Sequence, residues 1–510
     1  MAKKQFTFNT FANGLSNDAK KWNTHGYYSA GVDLVGVKDI GSFPNGARPN
    51  VLQLSQELQR DTVSGSTVVG LPNWIKKFNN SYYGFISNIS SGGEGLIVSA
   101  ANIGGPWVSS NYTGRADGGG GFAQLSSYMY YGQNANLGKF DGSTYTNTFG
   151  AFTIGGTTPR PMKIFAGVLN IGNDRYISTV DSTGTFTANA LTLPWGFTVR
   201  SLEVLGNYLI ISADNGVFAR IFLWTGGTAT YQEAYDLPET TAPALAFRDG
   251  RIFAVGKGIY LLGETSYQTI FPYNYYGTAT TDQPLPGSIT VWKSRILYGL
   301  GGGAGLTNAD EQGGVYMIGQ YDTTYPLILH QHFLLPNQIT SASNYTYSPQ
   351  NISLGGLYSD NNSSVIVGFQ DNTATAISAK YGFASTKNIY SATASNYAYY
   401  ITLPLTMDSD NKKLFHSIRL NFTGGANTMG LTISYRLNTD FTAGTNLGSW
   451  TTLKTISTAD NGTQNLAIPI RKTGRNIMFK FQFNAYDDTF NQSPQLLDYS
   501  VIYEILNSYR

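Results

Sequence analysis

Cysteine is absent from the 510-residue chain, which excludes a disulfide framework, a thiolate metal site and a cysteine nucleophile. Charge is scarce as well: only 13% of residues are Asp, Glu, Lys or Arg, the formal net charge is +2, and the cations are scattered. The massed basic footprint of a dedicated nucleic-acid binder is therefore missing, while contact with nucleic acid by enclosure stays open. No apolar run approaches the roughly 18 residues of a membrane span; the greasiest stretches are short, such as Tyr208-Leu209-Ile210-Ile211. The opening Met1-Ala2-Lys3-Lys4-Gln5-Phe6 never develops the apolar core of a secretory signal, so it reads as the start of a chain made in the cytoplasm.

What is abundant points to strands. The 58 glycines, 35 tyrosines and 28 phenylalanines, with many Thr, Ser and Asn, suit pleated surfaces and tight turns rather than helices. One unit recurs: an apolar strand, a polar turn, a second apolar strand, then another strand ending in Gly. Its clearest copies are SLEVLGNYLIIS (201–212), ALAFRDGRIFAVG (244–256) and SITVWKSRILYGL (288–300), and weaker ones cover 74–87, 122–132 and 165–178. Turn anchors at Asn80, Ser127, Asn173, Asn207, Gly250 and Ser294 are separated by 47, 46, 34, 43 and 44 residues. The 34 marks a shortened or misregistered unit. The other spacings match four-stranded propeller blades, and a last blade is expected around ISLGGLYSDNNSSVIVGFQ (352–370). Neither a WD nor a kelch signature recurs, so a β-solenoid or plain sandwiches stand as alternatives.

Toward the C-terminus the pattern changes to longer alternating strands. Ile418, Leu420 and Phe422 share a face, as do Leu431, Ile433 and Tyr435, and Ile477, Phe479, Phe481 and Phe483. The expected fold is all-β: an extended arm over 1–50, a divergent β-propeller of six or seven blades over 51–385, and a β-sandwich or jelly roll over 386–510. The arm, with Trp22, Tyr27 and Tyr28, is expected to wrap its own propeller or a neighbouring subunit.

Each tempting catalytic motif fails at a named position. Ser212-Ala213-Asp214-Asn215-Gly216 starts like the S-x-D-x-G turn of sialidase-type propellers but continues Val217-Phe218-Ala219, so an ordinary hairpin is expected. The Gly118–Gly121 and Gly301–Gly303 runs lack the Lys-Ser/Thr of a phosphate loop. His330 and His332 fall on one side of a strand without a third ligand, and His416 reads as a hydrogen-bonded sandwich-edge residue. Turns at Asp408-Ser409-Asp410 and Asp360-Asn361-Asn362 offer oxygens to calcium without the EF-hand spacing, which leaves metal binding open. No G-x-S-x-G elbow is present. The expectation is a non-enzyme with no catalytic residues and no cofactor. The aromatic cluster Phe271, Tyr273, Tyr275 and Tyr276 suits either stacking on sugars or a subunit contact.

The order of arm, with Gly31-Val32-Asp33, cysteine-free propeller and terminal sandwich resembles virion structural proteins of tailed bacteriophages, in particular the propeller-containing hub or nozzle proteins of short tails. MGLTISYRLNTDFTAGTNLGSWTTL (429–453) resembles their strand, polar turn and Trp-bearing return strand, and RKTGRNIMFKFQF (471–483) their basic lead into a long strand. The resemblance implies a tail component in the virion, made in the host cytoplasm. It implies partners in further copies of itself as a cyclic homo-oligomer, other tail proteins, and phage DNA in the channel. The competing expectation is a tail adhesin or carbohydrate-binding propeller that meets a host surface glycan or receptor.

Overall fold

A computed structural model describes residues 3–8, 14–15, 27–32, 34–35, 52–54, 58–64, 70–87, 96–109, 120–133, 135–156, 159–271, 284–301, 314–319, 327–333, 352–360, 364–371, 381–386, 398–407, 410–423, 430–437, 450–456, 463–484 and 495–506. Among them there are strands and turns and no helix. The chain divides into two compact units, one of residues 59–306 and 348–385, the other of 1–58, 307–347 and 386–510.

The first unit is a seven-bladed propeller. Five blades are complete four-stranded antiparallel sheets within it, beginning with the inner strands Leu71–Phe78, Phe122–Leu125, Met162–Phe165, Thr198–Leu205 and Ala244–Arg248. The hairpin Ile289–Trp292/Arg295–Leu300 holds the sixth position. The seventh blade is Ile352–Asp360, Ser364–Asp371 and Tyr381–Thr386, with Leu58–Arg60 as its outermost strand. Each inner strand touches the inner strand of the next blade, and Ile352–Asp360 returns to touch Leu71–Phe78, so the ring closes. Closure mixes the two ends of the unit in one sheet, because the strand before blade 1 completes blade 7.

Turn chemistry sets this repeat. Every inner hairpin from blade 1 to blade 6 has a two-residue loop, and in four of them both central residues have positive φ: Asn79-Asn80, Ala166-Gly167, Asp249-Gly250 and Lys293-Ser294. That conformation matches the right-handed twist of the strands. It also explains the anomalous spacing of 34. The third blade turns at Gly167, whereas Asn173 ends the second strand of that blade; with Gly167 as anchor the separations become 47, 40, 40, 43 and 44.

Blades pack through alternating apolar faces, for example Phe197, Leu209, Ile211, Phe222 and Trp224 in one layer and Ile210, Ile221, Leu223, Leu245 and Ile252 in the next. Glycine is required where backbones meet. A Cβ on Gly355 would lie 2.0 Å from the Pro72 carbonyl oxygen, and one on Gly121 would lie 1.9 Å from that of Arg160.

The second unit contains two six-stranded sheets. One runs Thr463–Gly474, Lys413–Thr423, Gln495–Ile505, Leu52–Leu54, Leu34–Val35, and Lys4–Phe8 also pairs with Gln495–Ile505. The other runs Gly14–Leu15, Tyr27–Val32, Ala398–Thr402, Ile477–Asn484, Gly430–Leu437, Thr451–Ile456. They face each other across an aromatic layer in which the Tyr499 ring lies 5.1 Å from Phe481 and 6.3 Å from Phe479. The hairpin Gly314–Gly319/Ile328–Phe333 belongs to this unit too.

The segment read as an extended arm therefore supplies strands to the sandwich. Phe8 is buried and stacks on Tyr499 at 4.6 Å. His416 has the hydrogen-bond partner expected of it, Glu504, but is not at a sheet edge. Its strand is interior, flanked by Thr463–Gly474 and Gln495–Ile505, and the register shifts between Phe415 and Ser417. The bulge breaks the phase, so Phe415, Ile418 and Leu420 point into the core while His416 is half-buried and meets Glu504 at 3.3 Å.

Candidate functional site

A cavity of about 400 Å³ lies on the propeller axis, lined by residues of all seven inner strands. Its walls follow from strand alternation. Lys76, Ala123, Lys163, Glu203, Ala246, Thr290 and Tyr358 each sit two residues before the last paired residue of their inner hairpin, as Lys76 does before the Phe78↔Ser81 pair. Equal register puts these seven positions at one level around the axis. Six of the seven line the cavity; blade 2, with alanine at this level, lines it through Phe122.

Trp74, two residues before Lys76, also lines the cavity. A Cβ on Gly120 would approach its ring to 2.9 Å and one on Gly287 to 3.0 Å, so the indole crosses the axis between blade 2 and the start of blade 6. Toward the hairpin mouth the cavity neighbours a groove lined by Ile164, Gly206, Asn207 and Phe247, of which Ile164 and Phe247 are exposed.

Charges in the axial layer are unequal. Lys163 forms an ion pair with Glu203 Oε1, which also accepts from the Val204 amide at 3.0 Å. Lys76 is half-buried and has no ion pair or hydrogen bond among the described residues; burial, and then the charge of Lys163, lower its ammonium pKa. The neighbouring Lys77 points elsewhere and is held by Asp360, at 3.0 Å, which also accepts from the Tyr82 hydroxyl. Burial, followed by the nearby Asp360 charge, pushes the Tyr358 phenol up to about 12, so it stays a neutral donor.

A second feature lies on loops of blades 3 and 4. Trp195 is 83% exposed, with the Arg175 guanidinium 3.9 Å from its ring centroid, and Val217 is 74% exposed. The loops touch, since a Cβ on Gly196 would lie 3.8 Å from Asn215 Cβ. Asn215 Oδ1 accepts from the Val217 and Phe218 amides and so fixes that turn.

The sequence-derived candidates fall elsewhere. Phe271 ends the outer strand of blade 5, half-buried and paired with Ile259. Tyr273, Tyr275, Tyr276 and Trp22 lie outside the described residues, and Tyr27 and Tyr28 are on the strand Tyr27–Val32. The S-x-D-x-G segment is a hairpin, as expected, with Asp214 bound to Arg200 at 3.0 Å. Asp360 is taken by Lys77 and Tyr82, Asp408 lies outside the described residues, and His332 is buried against Phe333. No group of His, Asp and Glu among the described residues is arranged to hold a metal. Sequence reading missed the axial layer, although aligning the hairpin turns places Lys76, Lys163 and Glu203 at one offset.

No family model matches the chain, and no curated protein matches it. Solved structures that are similar include virginiamycin B lyase from Staphylococcus aureus (12% identity, TM-score 0.44, 65% of this chain and 99% of that one). YCF48 with a bound peptide is similar at 10% identity and TM-score 0.38, over 64% and 100% of the two chains. An exo-β-1,3-galactanase from Phanerochaete chrysosporium is similar at 12% identity and TM-score 0.30, over 88% and 100%. The propeller assignment rests on the closed ring of inner strands.

Proposed function

We propose that the chain is a virion structural protein of a tailed bacteriophage, a hub- or nozzle-type tail component that assembles with copies of itself into a ring. The observation that carries this reading is the exposed Trp195–Val217 surface with Arg175 stacked on the indole. Trp and Arg are the residue types that dominate binding energy at protein interfaces, and a large apolar ring held open to solvent is favourable only once it is covered. Low overall charge supports permanent contacts, and identical copies joined by heterologous contacts close into rings.

The axial layer supports a non-catalytic role. Glycan cleavage by the usual route needs two carboxylates flanking the bond, and Glu203 is the one carboxylate among the residues lining the cavity, already paired with Lys163. DNA in this proposal occupies the channel enclosed by the ring of copies.

Mass photometry of the purified chain, wild type and Trp195→Asp, tests the reading. A closed oligomer that dissociates in the variant is expected. A wild-type monomer that binds glycans on an array would replace the tail-ring reading with the adhesin.

A further inference from the structure

We infer that the axial cavity of the propeller is a binding site for a small anion, a molecule bearing a phosphate or carboxylate group, with Lys76 as the cation that meets it. This inference is independent of the tail-ring reading. Three observations carry it.

The first is the charge count at one level of the cavity: two ammonium groups, Lys76 and Lys163, against one carboxylate, Glu203, whose pairing with Lys163 leaves Lys76 uncompensated. The second is the donor set. Thr290 and Tyr358 stand in the same layer, neither side chain has a hydrogen-bond partner among the described residues, and the Tyr358 phenol remains protonated at neutral pH. An ammonium, a phenol and a hydroxyl supplied to one cavity by blades 1, 7 and 6 are donor types that oxygen anions accept from.

The third is enclosure. Trp74 contributes to the wall, all seven inner strands surround the space, and a cavity of about 400 Å³ falls within the size range of small-molecule sites. Burying an unpaired cation costs stability unless a partner is provided, and a bound anion provides one; the lowered pKa of Lys76 expresses that cost. An anion at this level returns the ammonium to a paired state.

The test is isothermal titration calorimetry of the full-length protein with inorganic phosphate and, separately, citrate, against sodium chloride of matched ionic strength. Saturable binding is expected with at least one probe. Phosphate alone assigns a phosphate-bearing ligand, and citrate alone a carboxylate-bearing one. Lys76→Met should weaken binding roughly tenfold to a hundredfold, the loss expected for a charged hydrogen bond, and Lys76→Arg should retain it. Near-UV circular dichroism checks that the variants fold. Absence of saturable heat with both probes, or equal binding by folded Lys76→Met, overturns the inference.

Discussion

The Trp107 indole donates its Nε1 hydrogen to Asp61 Oδ2 at 2.8 Å, and the Ser385 hydroxyl donates to the same oxygen at 2.8 Å. Trp107 belongs to blade 1, Ser385 to blade 7, and Asp61 follows the strand Leu58–Arg60 that completes blade 7. One carboxylate thus ties both sides of the closure, beneath a Trp107–Phe383 stack at 3.8 Å. Asp61→Ala strands two buried donors and should cost about 3 kcal/mol; Asp61→Asn, which keeps an acceptor, should cost less. Urea midpoints of the two variants measure the difference.

Blade spacing gives a second expectation. Gly355→Ala forces a methyl to within 2.0 Å of the Pro72 carbonyl oxygen, a contact that only backbone movement relieves. It should destabilise by roughly 3 kcal/mol or more, in the range of severe core overpacking. Gly227→Ala, with open space at the same test, should change stability by less than about 0.5 kcal/mol. Equal thermal midpoints for the two would contradict the close approach of blades 1 and 7.

The amino-terminal strand should be integral to the sandwich. Phe8 is 4% exposed and stacks on Tyr499, so Phe8→Ala leaves a cavity beside the aromatic layer and should cost about 3 kcal/mol. Hydrogen exchange across 499–503, whose backbone pairs with 4–8, should accelerate in the variant. Unchanged protection there would return residues 4–8 to the role of a free arm.

Lys76 gives the pH dependence. Its folded pKa lies below the ordinary lysine value of 10.5, lowered by burial and then by Lys163; Glu203 and Tyr358 are the other titratable groups of its layer. Between the folded value and 10.5 the unfolded chain binds more protons than the folded one, so wild-type stability gains from this group as pH rises through that window. Lys76→Met should be more stable than wild type at neutral pH, with the advantage shrinking toward pH about 10. Denaturant midpoints at neutral and alkaline pH check the sign.

Much of the fold was legible in the residues. Asn80, Ser127, Asn207, Gly250 and Ser294 are turn residues in the structure, and Ile352–Asp360 pairs with Ser364–Asp371 as the two inner strands of blade 7, because turn chemistry and alternation are local properties. Blade 3 misled because Asn173 is a better turn former by composition than Ala166, which nonetheless adopts positive φ. The expected arm misled because strands such as Lys4–Phe8 and Tyr27–Val32 are short and find partners about 370 to 500 residues away, a pairing that no local pattern reveals. The axial layer stayed hidden for a related reason: Lys76, Lys163 and Glu203 look like ordinary solvent-facing strand positions until the ring brings them together. Trp195 gave no signal, since a lone Trp in a Pro-Trp-Gly loop reads equally as a core residue.

Electron microscopy of the purified full-length chain tests the proposed assembly most directly. Hollow rings of identical copies, lost in Trp195→Asp, are expected. Monodisperse single particles at every concentration, with Trp195→Asp indistinguishable from wild type, would contradict it.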